Sequence, residues 1–393
     1  MQYRLNKVNG DELSILGFGC MRFPKDERET ERLVLYAIEH GVNYFDTAFM
    51  YKNSEATLGR ILSRNNRRKD VKLATKLPPH MVKRYEDLDK IFSQELERLQ
   101  TDYVDYYFIH MLTDICVWRR LVALGIEKWI KEKKVLGQIR NIGFSYHGGQ
   151  SEFVKICDAY LWEFCMIQYN YLDEHNQAGK TGLQYAANKG LPVMIMEPLR
   201  GGILANNLPK GVAKVFAEAP VIRTPAEWSF RWLWSQPEVT CVLSGMNRLE
   251  VLKENLETAK TAKPNDFTKN DFSVIEMAKK AFIEAIKVPC TGCNYCMPCP
   301  QGVDIPTCFS CYNNIVIEGK RAALLKYVMQ TSLKATPQVA SRCNKCGQCE
   351  KNCPQKIKIR TELQNTKKTF EKFYFKPVLF IAKRFMKINH KLE

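Results

Sequence analysis

The chain has 393 residues, 45% of them hydrophobic and 26% charged, and carries a net charge of +17. That length calls for one large domain plus a smaller one, and the composition is globular, not disordered or fibrous. The opening MQYRLNKVNGDEL has no apolar core of a secretory signal, and no uncharged apolar run of about 18 residues would make a transmembrane helix.

Fifteen cysteines without a signal argue for a reducing compartment, the cytoplasm. There, paired cysteine spacings mean metal rather than disulfide.

From the N-terminus, YRLNKVNGDEL predicts a small hairpin that turns at Asn9 and Gly10. Short apolar runs then alternate with helical patterns. SILGFGCM precedes ERETERLVLYAIEHG, NYFDTA precedes SEATLGRILSRN, and VKLATKL precedes EDLDKIFSQELERLQ. YVDYYFIHML precedes LVALGIEKWIKEKK, IRNIGFS precedes SEFVKICDAYLW, and FCMIQYN precedes GKTGLQYAANKG. LPVMIMEPL leads to a helix around PAEWSFRWLWSQ, and VTCVLSGM precedes LEVLKENLETAK.

These are eight strand-then-helix units. Runs that are apolar nearly throughout suit parallel strands covered on both faces. Eight such units in about 245 residues predict an α/β fold closed as a (β/α)8, or TIM, barrel rather than an open sheet. Gly17 and Gly19 lack the third glycine of a dinucleotide fingerprint.

Residues 1–260 are thus expected to form the barrel, 261–287 a linker and an amphipathic helix, 288–362 a cysteine-rich domain, and 363–393 a basic tail. Between Lys351 and Glu393 there are twelve Lys or Arg against three acids. This excess reads either as a solvated tail or as a docking surface for an acidic partner or anionic lipid head groups. VLFIAKRFMK, after Pro377, either lies on a membrane surface or packs on its own protein. No groove-reading motif accompanies the charge, so nucleic acid is not expected as a partner.

In a barrel of this kind, chemistry sits at the C-terminal ends of the strands. Asp46 closes NYFD, Lys76 closes LATK and His110 closes YYFIH, while Tyr51 follows Asp46 in the loop. A ketone that accepts hydride develops oxyanion charge and must be protonated. Tyrosine, with an ordinary pKa of about 10, needs help to do this near neutrality. A neighbouring ammonium is expected to lower that pKa, with Asp46 holding Lys76 in place and His110 orienting the carbonyl.

NYFDTAFMY, LATKLP, DYYFIHML and KVLGQIRNIGFSYH resemble the aldo-keto reductase family over roughly residues 1–260. The resemblance implies a nicotinamide cofactor, NADP or NAD, bound without a Rossmann fold, and reduction of a small-molecule carbonyl to an alcohol. It implies Asp46, Tyr51, Lys76 and His110 as the catalytic four. It places Ser145 and Gln168 at the nicotinamide carboxamide, and EPLRGG, with Glu197 and Leu199, along the ring and pyrophosphate. Glu254 and Asn255 fall at the adenine. Two features depart from the family pattern. Tyr146 stands where Asn often follows the serine. Gly245, Met246 and Val251 stand where basic residues commonly meet a 2′-phosphate, leaving Arg248 as the loop's cation.

The cysteine domain carries two runs, Cys290, Cys293, Cys296, Cys299 and Cys343, Cys346, Cys349, Cys353, each followed by proline. The second is CxxCxxCxxxCP, the ligand run of 4Fe-4S ferredoxins. A single zinc ion held by four thiolates is the competing reading of CxxC pairs. The cysteine before proline ligates the other cluster in two-cluster ferredoxins. That rule groups Cys290, Cys293 and Cys296 with Cys353, and Cys343, Cys346 and Cys349 with Cys299. The shorter spacing before Cys299 leaves its exchange open. With a helix predicted over IVIEGKRAALLKYVMQ, the domain resembles the small, mainly α-helical ferredoxin modules. Cys308 and Cys311 are expected to pack as helix thiols.

The expected function is an oxidoreductase that moves hydride between NAD(P)H and a carbonyl or alcohol, with two 4Fe-4S clusters passing single electrons. The two currencies need a converter. A flavin held by a partner, an acidic flavoprotein or other electron-transfer protein, would supply one. The competing readings are a nicotinamide-binding redox sensor with little turnover, and clusters that serve only as structural staples.

Overall fold

The computed structural model describes residues 1–332 and 336–380, and for residues 317 and 318 the backbone alone. The continuation of the basic tail past residue 380 lies outside the described residues. Two compact units are present. The first comprises Met1–Leu199 and Arg223–Phe272; the second comprises Arg200–Ile222 and the chain from Ser273 onward.

In the first unit, β1 (Tyr3–Leu5) pairs antiparallel with β2 (Glu12–Ser14). The strands β3 (Leu16–Gly19), β4 (Tyr44–Asp46), β5 (Lys72–Leu77), β6 (Val104–Leu112), β7 (Ile139–Tyr146), β8 (Phe164–Gln168), β9 (Val193–Met196) and β10 (Val239–Ser244) follow. They close a barrel in that order, and every pair is parallel. Between them run α1 (Glu27–Glu39), α2 (Ser54–Arg64), α3 (Glu86–Leu99), α4 (Ile115–Ala123), α5 (Ile126–Val135), α6 (Gln150–Asp158) and α7 (Gly179–Asn188). Next in the chain come α8 (Lys210–Ala217), which belongs to the second unit, and α9 (Pro225–Trp234) and α10 (Leu249–Thr261) of the first.

The strand interiors are almost wholly buried, as parallel strands under helices must be. Tyr106, Phe108 and Phe164 fill the barrel, with Phe164 edge-on to both others at 4.9 and 4.6 Å. Gly143 makes that packing fit, because a Cβ there would lie 2.8 Å from the Phe164 ring.

The hairpin differs from its prediction. Its loop spans residues 6–11 instead of the two residues Asn9 and Gly10. The side chains of the loop explain this. Asn6 Nδ2 donates to the Tyr106 hydroxyl at 3.1 Å, Asn9 Nδ2 donates to Asn141 Oδ1 at 2.9 Å, and Tyr106 donates to Asp11 at 2.8 Å. A longer loop is held because it closes the N-terminal end of the barrel. The helix expected over LVALGIEKWIKEKK is likewise two, α4 and α5, broken at Gly125 with φ 90°.

The second unit holds α8, the residues of α11 (Lys269–Ala285) from Ser273 on, α12 (Ile305–Tyr327), α13 (Gln348–Lys351) and α14 (Ile359–Phe370). Asp304 caps α12 by accepting from Thr307 N at 3.2 Å. Gly319, at φ 81° and ψ 162°, interrupts that helix inside the stretch expected to be continuous. The core is small: Val288, Val303, Phe309, Tyr327, Ile359, Leu363 and Phe370. Tyr327 stacks on Phe370 at 4.8 Å and donates to Glu371 at 2.7 Å. Cys308 and Cys311 are fully buried on α12. Residues 200–222 pack with this unit, although they fall inside the span expected for the barrel. One anchor is Arg200, whose guanidinium donates to Pro289 O at 3.0 Å.

Among the described residues no helix is long and apolar enough to cross a membrane.

Candidate active site and candidate iron–sulfur centres

Three consecutive strand ends bring Asp46, Lys76 and His110 together at one end of the barrel. Only 3%, 1% and 6% of these residues are exposed. Lys76 Nζ donates to Asp46 Oδ1 at 2.5 Å and to Thr47 O at 2.6 Å. It also lies 5.1 Å from the centre of the Tyr51 ring. Tyr51 and His110 meet edge to face at 6.1 Å. Burial pushes the Asp46 carboxyl up, and the Lys76 ammonium opposes that rise. Burial also pushes the His110 imidazole well below its ordinary value, helped by Lys76, His147 and His80. His110 is therefore neutral and can donate one N–H.

The expected lowering of the Tyr51 pKa is not what the site does. Burial raises the hydroxyl far above its ordinary value, and the negative charges of Asp46 and Glu197 add to the rise. The ammonium that was expected to favour the phenolate is already committed to Asp46 and Thr47 O. Tyr51 is thus held as a neutral phenol.

Ser145 and Tyr146 are neighbours on β7, so their side chains leave on opposite faces. Ser145 Oγ accepts from Met111 N at 2.9 Å, which keeps its own O–H to donate. Tyr146 turns outward against Phe153 at 5.0 Å and donates to Gly149 O. This accounts for the Tyr146 departure from the family pattern: that side chain packs under α6.

Gln168, at the end of β8, is fixed through both ends of its amide. Its Nε2 donates to Asp173 Oδ2 at 2.9 Å, and its Oε1 accepts from Gln177 Nε2. Gln177 Oε1 then faces His147 Nδ1 at 3.0 Å. An amide oxygen only accepts, so Nδ1 carries the hydrogen. Burial pushes His147 down to about 4. Asp173, Gln177 and His147 were missed in the sequence. The only signal was the polar run that follows β8, NYLDEHNQ.

Beyond β9, Asn170 Nδ2 donates to Glu197 O at 3.2 Å. Glu197 takes a left-handed backbone at φ 54°, as Met111 does beside His110. Non-glycine residues held this way cluster at working sites. Leu199 is half-buried two residues on. On α10, Glu254 accepts from Thr224, and the buried Asn255 donates to Ser244 Oγ at 3.0 Å. Met246 is buried and Arg248 is exposed at the start of α10.

In the second unit, Cys290, Cys293, Cys296 and Cys353 line one cavity with Ile305, Phe309, Ile357 and Ile359. Burial pushes Cys290 up to about 11, with Cys293 and Cys353 adding to the rise. Cys349 is pushed up to about 11 by burial, and Glu350, Cys343 and Cys299 add to it. Cys353 thus lines the same cavity as the first run, and Cys299 lies near enough to Cys349 to act on it electrostatically. Cys346 is exposed. Among the described residues no group of three or more His, Cys, Asp or Glu side chains is drawn close enough to hold a metal ion. The four thiols of the cavity surround a space, which suits a cluster.

The family model for aldo/keto reductases matches residues 15–276. The chain belongs to the aldo/keto reductase family. A model of a 4Fe-4S dicluster domain matches residues 289–357. The protein is accordingly an oxidoreductase of that family with an iron–sulfur domain joined to its barrel.

It is 27% identical over 288 residues to an uncharacterized oxidoreductase of Bacillus subtilis, covering 65% of this chain and 91% of that one. It is 22% identical over 305 residues to a Schizosaccharomyces pombe aldo-keto reductase described with NADP(+), covering 66% of this chain and 88% of that one. The holo form of an aldo-keto reductase from Bacillus halodurans superposes with a TM-score of 0.60 at 26% identity. That match covers 72% of this chain and 97% of that one.

Proposed function

We propose that the chain reduces a small carbonyl compound to an alcohol in the cytoplasm with NADPH or NADH, and that two 4Fe-4S clusters in the same chain pass single electrons. The observation that carries the first half is the buried Lys76–Asp46 pair, set 5.1 Å from the Tyr51 ring with His110 beside it.

The bound nicotinamide supplies the hydride. Ser145 and Gln168 hold its carboxamide, Glu197 and Leu199 flank the ring and pyrophosphate, and Glu254 and Asn255 serve the adenine. The residues present fit that group: Ser145 keeps a donor, and Gln168 is oriented by Asp173 and Gln177. The NADP(+) of the S. pombe relative favours NADPH, with exposed Arg248 as the cation for its 2′-phosphate.

His110, neutral, donates to the substrate carbonyl and polarises it. Tyr51 gives its proton to the oxygen as negative charge grows there. The phenolate that remains faces the Lys76 ammonium, which stabilises it. The effect first expected on the resting tyrosine is thus assigned to the step after proton transfer.

The two thiol sets fit two clusters, one on Cys290, Cys293, Cys296 and Cys353, the other on Cys343, Cys346, Cys349 and Cys299. Protein purified without oxygen is expected to hold about eight irons and eight sulfides per chain and to oxidise NADPH with some member of a carbonyl panel. Stoichiometric zinc without brown absorbance contradicts the cluster reading, and no turnover with any carbonyl contradicts the reductase reading.

A further inference from the structure

Arg200 opens the short turn Arg200–Gly202 and is 3% exposed. Its backbone sits in the left-handed region at φ 50°. A buried guanidinium is costly unless it is partnered, and a left-handed backbone adds to that cost. Both are borne at one place. The Arg200 guanidinium donates to the carbonyl of Pro289 at 3.0 Å, and Pro289 is the residue immediately before Cys290. A fixed positive charge therefore lies against the start of the first ligand run.

We infer that Arg200 is a built-in counter-charge for the buried cluster, holding the reduction potential of the site on Cys290, Cys293, Cys296 and Cys353 above the value its apolar pocket alone would give. The inference rests on the cluster reading above.

Reduction adds one electron, and so one negative charge, to a unit that already carries four thiolates. Ile305, Phe309, Ile357 and Ile359 wall the cavity, so water solvates that charge poorly. Charge and hydrogen bonding around a cluster are among the levers that set its potential. A guanidinium keeps its charge at any working pH, and in a site of low polarity its field is weakly screened.

The second site offers a contrast. Cys346 is exposed, and the cation whose charge meets Cys349 and Cys343 is the exposed Arg360, already paired with Glu350 at 2.9 Å. The second cluster is the internal reference.

The test is an anaerobic dithionite titration of the full-length holoprotein, followed by electron paramagnetic resonance, in wild type, Arg200→Met, Arg200→Gln and Arg200→Lys. The signal lost in Cys346→Ser marks the exposed cluster. The midpoint of the buried cluster is expected to move to more negative potential in the Met and Gln variants and to stay close to wild type in the Lys variant. The exposed cluster keeps its midpoint in all of them. Gln retains a donor for Pro289 without the charge, so a Gln variant that titrates like wild type overturns the proposal. Equal shifts of both clusters also overturn it, because they report general loosening. If the Met variant loads no iron, the Gln and Lys variants decide. Wild-type protein with no cluster signal overturns the cluster reading itself, and with it this one.

Discussion

Tyr51→Phe is expected to lower kcat for carbonyl reduction by roughly 10²–10⁴-fold, the range typical of a lost general acid, while the Kd for the nicotinamide stays nearly unchanged. The substitution removes only the hydroxyl, and the ring keeps its edge contact with His110. The same residue sets the pH dependence. An acid works while it is protonated, and burial pushes the Tyr51 hydroxyl upward. Reduction by the wild type should therefore keep its kcat on the alkaline side up to at least the ordinary phenol value of about 10. A variant with near-wild-type kcat removes Tyr51 from the mechanism. An alkaline fall well below that value shows that the resting hydroxyl is not held up.

Lys76→Met is expected to destabilise the first unit by about 3–5 kcal/mol, because it leaves the Asp46 carboxylate buried without its partner. Asp46 Oδ2 already has no partner among the described residues, so nothing else is placed to take up the charge. All six tryptophans lie in the first unit, so urea unfolding followed by their emission reads that unit alone. The double variant Lys76→Met, Asp46→Leu should recover much of the stability, since a buried ion pair exchanged for apolar groups is often neutral. It should recover none of the activity. If the single variant unfolds like wild type, the pair is not the buried unit described here.

The barrel was legible because its strands are apolar nearly throughout and alternate with helical patterns eight times. The grouping of Asp46, Lys76 and His110 was legible because each lies at or near the C-terminal end of a strand, and position along a parallel strand is written directly in the sequence. What escaped depended on contacts between distant segments. The six-residue hairpin loop is held by Tyr106 and Asn141, about a hundred residues away or more. The Asp173–Gln168–Gln177–His147 chain runs across two loops, and no single residue in it breaks a local pattern.

The direction of the Tyr51 shift was misjudged because a motif reports which groups are near one another but not how deeply they are buried. Here burial is the largest cause, and it raises the hydroxyl. For the same reason no motif pointed to Arg200 as a neighbour of the first ligand run, which begins far along the chain from it.

Two redox currencies are proposed for this chain, a hydride pair in the barrel and single electrons in the clusters, with a flavin carried by a partner as the proposed link between them. Stopped-flow mixing of flavin-free holoprotein with NADPH or NADH, following the cluster absorbance, tests that division most directly. The clusters should bleach slowly with nicotinamide alone and quickly once a flavin or an acidic flavoprotein is added. The flavoprotein effect should weaken as salt screens the basic tail. Cluster potentials as a class span about −700 to +450 mV, so the obstacle proposed is kinetic and not thermodynamic. Rapid bleaching by nicotinamide in flavin-free protein would contradict the account, because it would mean that the chain itself splits the hydride pair into single electrons.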